Sequence, residues 1–212
     1  MIACLSIVLL GHACQSTTQL KIVPNVPAPL VQTSTPIADR VPAAFGVVRT
    51  LRNGAPLDPS VAFDQRVVSL LHETQLFSRL IYPDHGQPAL EGQKHMTARL
   101  SVSETVDRYA GKNAFKGFVV GASMFLLTPF LPLEYSYAAQ MTLDLQRWDG
   151  EMKHYTAASE GRISYQLFSA TPLLTEELKG RVTERCLKTL MVQLVNDAGF
   201  YRASAAPLLV RR

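Results

Sequence analysis

Long apolar runs, clustered charge and paired cysteines are all missing from this chain. The 21 Lys and Arg outnumber the 17 Asp and Glu, but they are scattered, so the net charge of +4 forms no basic block. Nucleic-acid binding, which needs a dense basic face or a recognisable motif, is therefore not expected. The 5 histidines are dispersed as well. His72-Glu73 has Leu76 where a zinc-binding helix needs its second histidine. His85, His95 and His154 read as solvated or capping residues of turns and strands. No Gly-x-Ser-x-Gly elbow, phosphate loop or dinucleotide fingerprint occurs. The pair Glu176-Glu177 is explained by the electrostatics of a helix start rather than by acid–base chemistry. The expectation is a non-enzymatic protein without cofactor or metal. No internal repeat is evident, and no apolar stretch reaches the about 20 residues that cross a bilayer.

What the chain does have is an uncharged greasy start. Ile2 to Leu10 leads through Gly11, His12 and Ala13 to Cys14, and the sequence then turns polar at Gln15 to Gln19. The run is the length of a signal-peptide core, and the small-residue box before Cys14 suits cleavage that leaves this cysteine first. The segment resembles bacterial lipoprotein signals, with two departures: Gly11 stands where leucine is usual, and His12 is a rare occupant of the box. No Lys or Arg precedes the run, which leads us to expect that the natural start lies upstream. Two other outcomes stay open. Ordinary signal peptidase would accept Gly11-x-Ala13 and leave Cys14 as a free thiol, or the segment stays uncleaved as an anchor or buried strand. The resemblance implies acyl chains such as palmitate on Cys14. It also implies the outer membrane, because Gln15 is not the aspartate that retains such proteins at the inner one. Of the 3 cysteines, Cys4 falls in the leader, and Cys186 falls on the apolar side of a helix as a small buried hydrophobe. No intramolecular disulfide is then available.

The chain divides into a signal peptide (1–13), a Pro-rich tether (14–43), a folded domain (44–202) and a tail (203–212). Pro24, Pro27, Pro29, Pro36 and Pro42 favour extended backbone in the tether, though Leu20 to Val23 is also a candidate edge strand. Within the domain, Ala44 to Leu51 reads as a strand and Asn53-Gly54 as a turn. Asp58 and Pro59 open a helix running to Arg79, with Phe63, Val67, Leu70 or Leu71, Thr74 and Phe77 on its apolar face. Leu80 to Tyr82 is a short strand. Met96, Ala98, Leu100, Val102 and Val106 alternate with polar residues as one long strand, and Tyr137 to Leu145 as another. Asp149-Gly150 turns the second back as far as Tyr165. A final helix spans Thr175 to Asp197, with Leu178, Val182, Cys186, Leu187, Leu190, Met191 and Leu194 as its buried stripe. The expected fold is α+β, a mainly antiparallel sheet with two helices packed on one face.

An uncharged insertion, 117–133, lies between the two long strands. Pro129 and Pro132 limit a regular helix to about Phe118–Leu127, too short to span a bilayer. Three readings stand. It dips into a leaflet as a helix or hairpin, with Lys112 and Lys116 reaching headgroups. It packs on the domain or on another subunit through Gly117-x-x-x-Gly121. Or it is a core helix followed by a Pro-rich turn. The contact residues it offers are Phe118, Val119, Gly121, Phe125, Leu126, Leu127 and Phe130. Trp148 offers either an aromatic tip to a partner or a cap on the sheet.

Taken whole, the chain resembles the outer-membrane lipoproteins of Gram-negative bacteria that carry a small periplasmic α/β domain. In element order it is similar to periplasmic domains of secretion and envelope-assembly lipoproteins. That resemblance implies an assembly or transport accessory at the periplasmic face of the outer membrane, partnered by membrane lipid, by envelope proteins or by further copies of itself. The alternative is a soluble periplasmic module that binds a lipid or peptide.

Overall fold

The computed structural model describes residues 19–23, 36–46, 48–58, 60–82, 93–107, 110–123, 133–165, 172–202 and 204. In chain order these form β1 (Gln19–Val23), β2 (Ala43–Phe45), β3 (Arg49–Arg52), β4 (Ala55–Leu57), α1 (Val61–Thr74), β5 (Leu80–Ile81), β6 (Met96–Asp107), α2 (Ala110–Ala122), β7 (Leu133–Gln146), β8 (Met152–Tyr165) and α3 (Pro172–Asn196). Short 3-10 turns stand at Ile37–Asp39 and Ala198–Tyr201.

The fold is α+β, but the sheet is mixed rather than mainly antiparallel. Its strand order is β1-β8-β7-β6-β2-β5, with β3 joining β6 and β4 joining β3. Strand β2 runs parallel to both β5 and β6, and β3 is parallel to β6. For β2 and β5 the connection includes α1, a crossover of the kind that joins parallel strands. A third α-helix, α2, starts at Ala110, seven residues before the uncharged insertion, and ends inside it at Ala122 rather than spanning Phe118–Leu127.

Two compact units make up the chain: residues 26–104, 139–159 and 183–212 form one, and residues 1–25, 105–138 and 160–182 form the other. The first holds a continuous apolar core. Met96, Ala98, Leu100 and Val102 of β6, Met141, Leu143 and Leu145 of β7, and Tyr155 and Ala157 of β8 supply the sheet side. Val67, Leu70 and Leu71 of α1 and Cys186, Leu187, Leu190, Met191 and Leu194 of α3 supply the helix side. Truncating one such leucine to alanine removes about 2–5 kcal/mol. The stripe expected on the last helix is buried at every position named. Val106, expected on the buried face of β6, is only half-buried.

Boundaries moved where local bonding decided them. The single strand expected at Ala44 to Leu51 is two, β2 and β3, both laid along β6. Phe45 faces Ala98 and Arg49 faces Ser101, so one extra residue is accommodated between them, as in a β-bulge. Asn53 and Gly54 carry the positive φ of the turn that joins β3 to β4. Helix α1 is capped by Ser60, whose side chain accepts from the Phe63 N–H, and not by Asp58. It ends at Thr74 with Gln75 in the left-handed conformation, five residues short of Arg79. Pro59 lies outside the described residues.

In the second unit β1, within the stretch expected as tether, pairs antiparallel with β8, Gln19 facing Ser164 and Val23 facing Glu160. Tyr135 and Tyr137 of β7, Ile163 of β8, Leu178 and Val182 of α3, and Val120 of α2 are its buried apolar side chains among the described residues.

Candidate contact surface on helix α2

Helix α2 is held at the start of β7. The Asn113 side chain brackets Glu134, its Nδ2 donating to the Glu134 carbonyl at 2.8 Å and its Oδ1 accepting the Glu134 N–H at 3.3 Å. Lys116 lies 3.7 Å from the Glu134 carboxylate. Among the described side chains of this helix, Val120 is the buried apolar one, 3% exposed. The face that holds α2 to its own unit thus combines polar contacts with the buried Val120.

The opposite face is apolar and turned outward. Ala114, Phe115, Phe118, Gly121 and Ala122 are all exposed, and at 3.6 residues per turn they fall within about a third of the helix circumference. Phe115 is 69% exposed and Phe118 73%. An ordinary surface helix has the reverse arrangement, apolar stripe inward and polar face to water. Leu173, at the start of α3 in the same unit, is exposed at 75%. Single exposed apolar residues are common, but two phenylalanines on an otherwise small-residue face form the kind of patch that marks a contact surface.

Of the expected contact residues, Phe118 and Gly121 are exposed and Val119 is half-buried. Phe125, Leu126, Leu127 and Phe130 lie outside the described residues, as does the lipid-attachment cysteine Cys14. The sequence reading began the apolar element at Gly117 and so missed Phe115; the helical spacing of Phe115, Phe118 and Ala122 was the available signal. Nothing lies within 4 Å of where a Cβ would stand at Gly117 or Gly121, so among the described residues the glycine pair makes no close packing contact. At 13 residues α2 is about 20 Å long. Among the described residues, no helix is long and apolar enough to cross a membrane.

The remaining candidates for chemistry occupy structural positions. The Cys186 thiol donates to the Ala157 carbonyl at 3.1 Å, and burial pushes its pKa up to about 11, the opposite of what a nucleophile needs. Trp148 is half-buried against the core, with Lys94 and Arg147 5.4 and 5.5 Å from its ring, and so caps the sheet. His95 contacts the Gln93 carbonyl, and His154 pairs across the hairpin with Asp144 at 2.7 Å. No group of three or more His, Cys, Asp or Glu among the described residues could hold a metal ion.

No family model matches the chain, and no curated protein sequence matches it. Among solved structures it is similar to a minor lipoprotein from Acinetobacter baumannii. The match is 13% identical with a TM-score of 0.38, and covers 84% of this chain and all of that one. Fold and surface together define an α+β protein that carries an apolar helix face outward.

Proposed function

We propose that this protein is a lipid-anchored, non-enzymatic component of a bacterial outer membrane. On this reading it is held at the periplasmic face by acyl chains on Cys14 and serves as an assembly or transport accessory. The observation that supports it is the outward apolar face of α2, with Phe115 and Phe118 exposed, in a chain whose first fourteen residues have the layout of a lipoprotein signal. A short linker to lipid and an exposed apolar helix are both understandable in a protein that works against a membrane or a membrane-bound partner.

Metabolic labelling with a fatty-acid analogue tests the anchor. Native protein should incorporate the label and float with outer-membrane fractions, whereas Cys14→Ser should do neither. An unlabelled native chain recovered from the soluble periplasm would overturn the reading and favour a soluble lipid- or peptide-binding module instead.

A further inference from the structure

Resting on that reading, we infer that the occupant of the α2 face is the bilayer leaflet that carries the protein's own lipid, so that anchor and helix form one two-point membrane attachment. The argument is one of chain length. Strand β1 begins at Gln19, five residues after Cys14, and five residues reach at most ~17 Å even when fully extended. An acylated Cys14 sits at the membrane surface, so Gln19 is confined to that distance from it.

Gln19 is in turn close to α2. It pairs with Ser164 of β8, and β7 is the next strand. Across the β7–β8 hairpin Asp144 pairs with His154. The same register ten residues on sets Glu134 beside Ser164. Two strand spacings put Gln19 about 10 Å from Glu134, the residue that Asn113 of α2 brackets. Gln19, Ser164, Glu134 and Asn113 all belong to one compact unit. The short linker therefore holds the exposed phenylalanines near the lipid surface at an effective concentration on the order of millimolar, enough to make a weak apolar contact persistent.

Helix composition agrees with a leaflet. Phe115 and Phe118 are aromatic groups suited to the headgroup boundary, and the exposed Lys112 flanks the apolar arc, where a lysine stem can lie along lipid with its charge at the headgroups. Leu173 adds a second apolar projection in the same unit.

The test uses the full, exported chain carrying Phe118→Cys, labelled with an environment-sensitive fluorophore; the buried Cys186 does not compete for the reagent. The labelled protein is placed in phosphatidylethanolamine–phosphatidylglycerol vesicles with or without brominated acyl chains, and acylation of Cys14 is read separately by mass spectrometry. The expected result is an acylated Cys14 together with a blue-shifted label that brominated lipid quenches. A flexible Gly/Ser insertion between Ser16 and Thr17 should weaken that quenching. An acylated chain whose label stays in water overturns this inference while leaving the anchor intact. Disulfide-linked dimers through the unlabelled Phe118→Cys overturn it in favour of a second copy as occupant. An insertion that leaves quenching unchanged overturns the proximity argument. An unacylated Cys14 removes the parent reading, and this one with it.

Discussion

Asn113 grips both backbone polar groups of Glu134, joining α2 to the first residues of β7 by two side-chain hydrogen bonds. A helix whose apolar face points outward gains little from burial, so this polar clasp carries much of its attachment. Asn113→Ala should weaken the attachment by about 1–2 kcal/mol. Amide hydrogen exchange across 110–122 should accelerate well beyond any change in the core strands. Unaltered exchange in α2 would mean that the clasp is incidental.

Phe115→Ser combined with Phe118→Ser should leave thermal stability unchanged to within about 0.5 kcal/mol, because both side chains already face solvent. At a large excess of anionic vesicles, the weak residual binding of the unacylated Cys14→Ser protein should nevertheless fall when both serines are added. Large destabilisation by the pair would show that these rings are packed rather than presented.

A buried tyrosine pair makes an ordering prediction. The Tyr201 hydroxyl donates to that of Tyr155, which donates to Asp197 at 2.9 Å, and Lys153 reaches the same carboxylate at 2.8 Å. Tyr155→Phe strands the fully buried Tyr201 hydroxyl and should cost about 1–3 kcal/mol. Tyr201→Phe leaves Tyr155 still bonded to Asp197 and should cost about 1 kcal/mol. Urea denaturation of the two variants gives the order, and the reverse order would reassign the donors.

Cys186 should resist thiol reagents in the native protein and react once it is unfolded, as followed on its own peptide by mass spectrometry. Burial raises its pKa to about 11, so between the ordinary thiol range and that value the folded state holds a proton that the unfolded state has lost. Stability from this group is complete below the unfolded pKa and declines as pH rises through the folded one. Cys186→Ala should therefore make the alkaline loss of stability less steep.

At the acid end the sign reverses. The hydrogen bond from Arg147 holds the Asp149 carboxyl down to about 2. Lys153 does the same in direction for Asp197, and Arg66 for Glu184. These carboxylates bind fewer protons folded than unfolded, so their contribution is present above the ordinary carboxylate range, about pH 4, and is lost as pH falls toward 2. Asp149→Asn should flatten part of that slope in melting curves taken across the interval.

Much of the fold was legible because its signals are local. The period-two pattern of Met96 to Val102, the Asp149-Gly150 turn and the seven-residue stripe on α3 each declare one element and its buried face. Sheet direction was not legible, since parallel and antiparallel strands share the same alternation. Ser60 rather than Asp58 caps α1 because the first helical turn forms where its N–H groups meet an acceptor. The contact surface was half legible: Phe118 and Gly121 were named, but Phe115 fell outside the uncharged run that drew attention.

By itself the sequence determined an α+β composition of elements, an uncharged segment between two long strands, and a cysteine that follows an apolar run. Those follow from periodicity and hydropathy, which act over a few residues at a time. Only the tertiary structure decided that α2 turns its phenylalanines outward, and that β1 takes up its place on β8 five residues after Cys14. Both depend on pairings between residues far apart in the chain, Asn113 with Glu134 and Gln19 with Ser164, which no local pattern encodes.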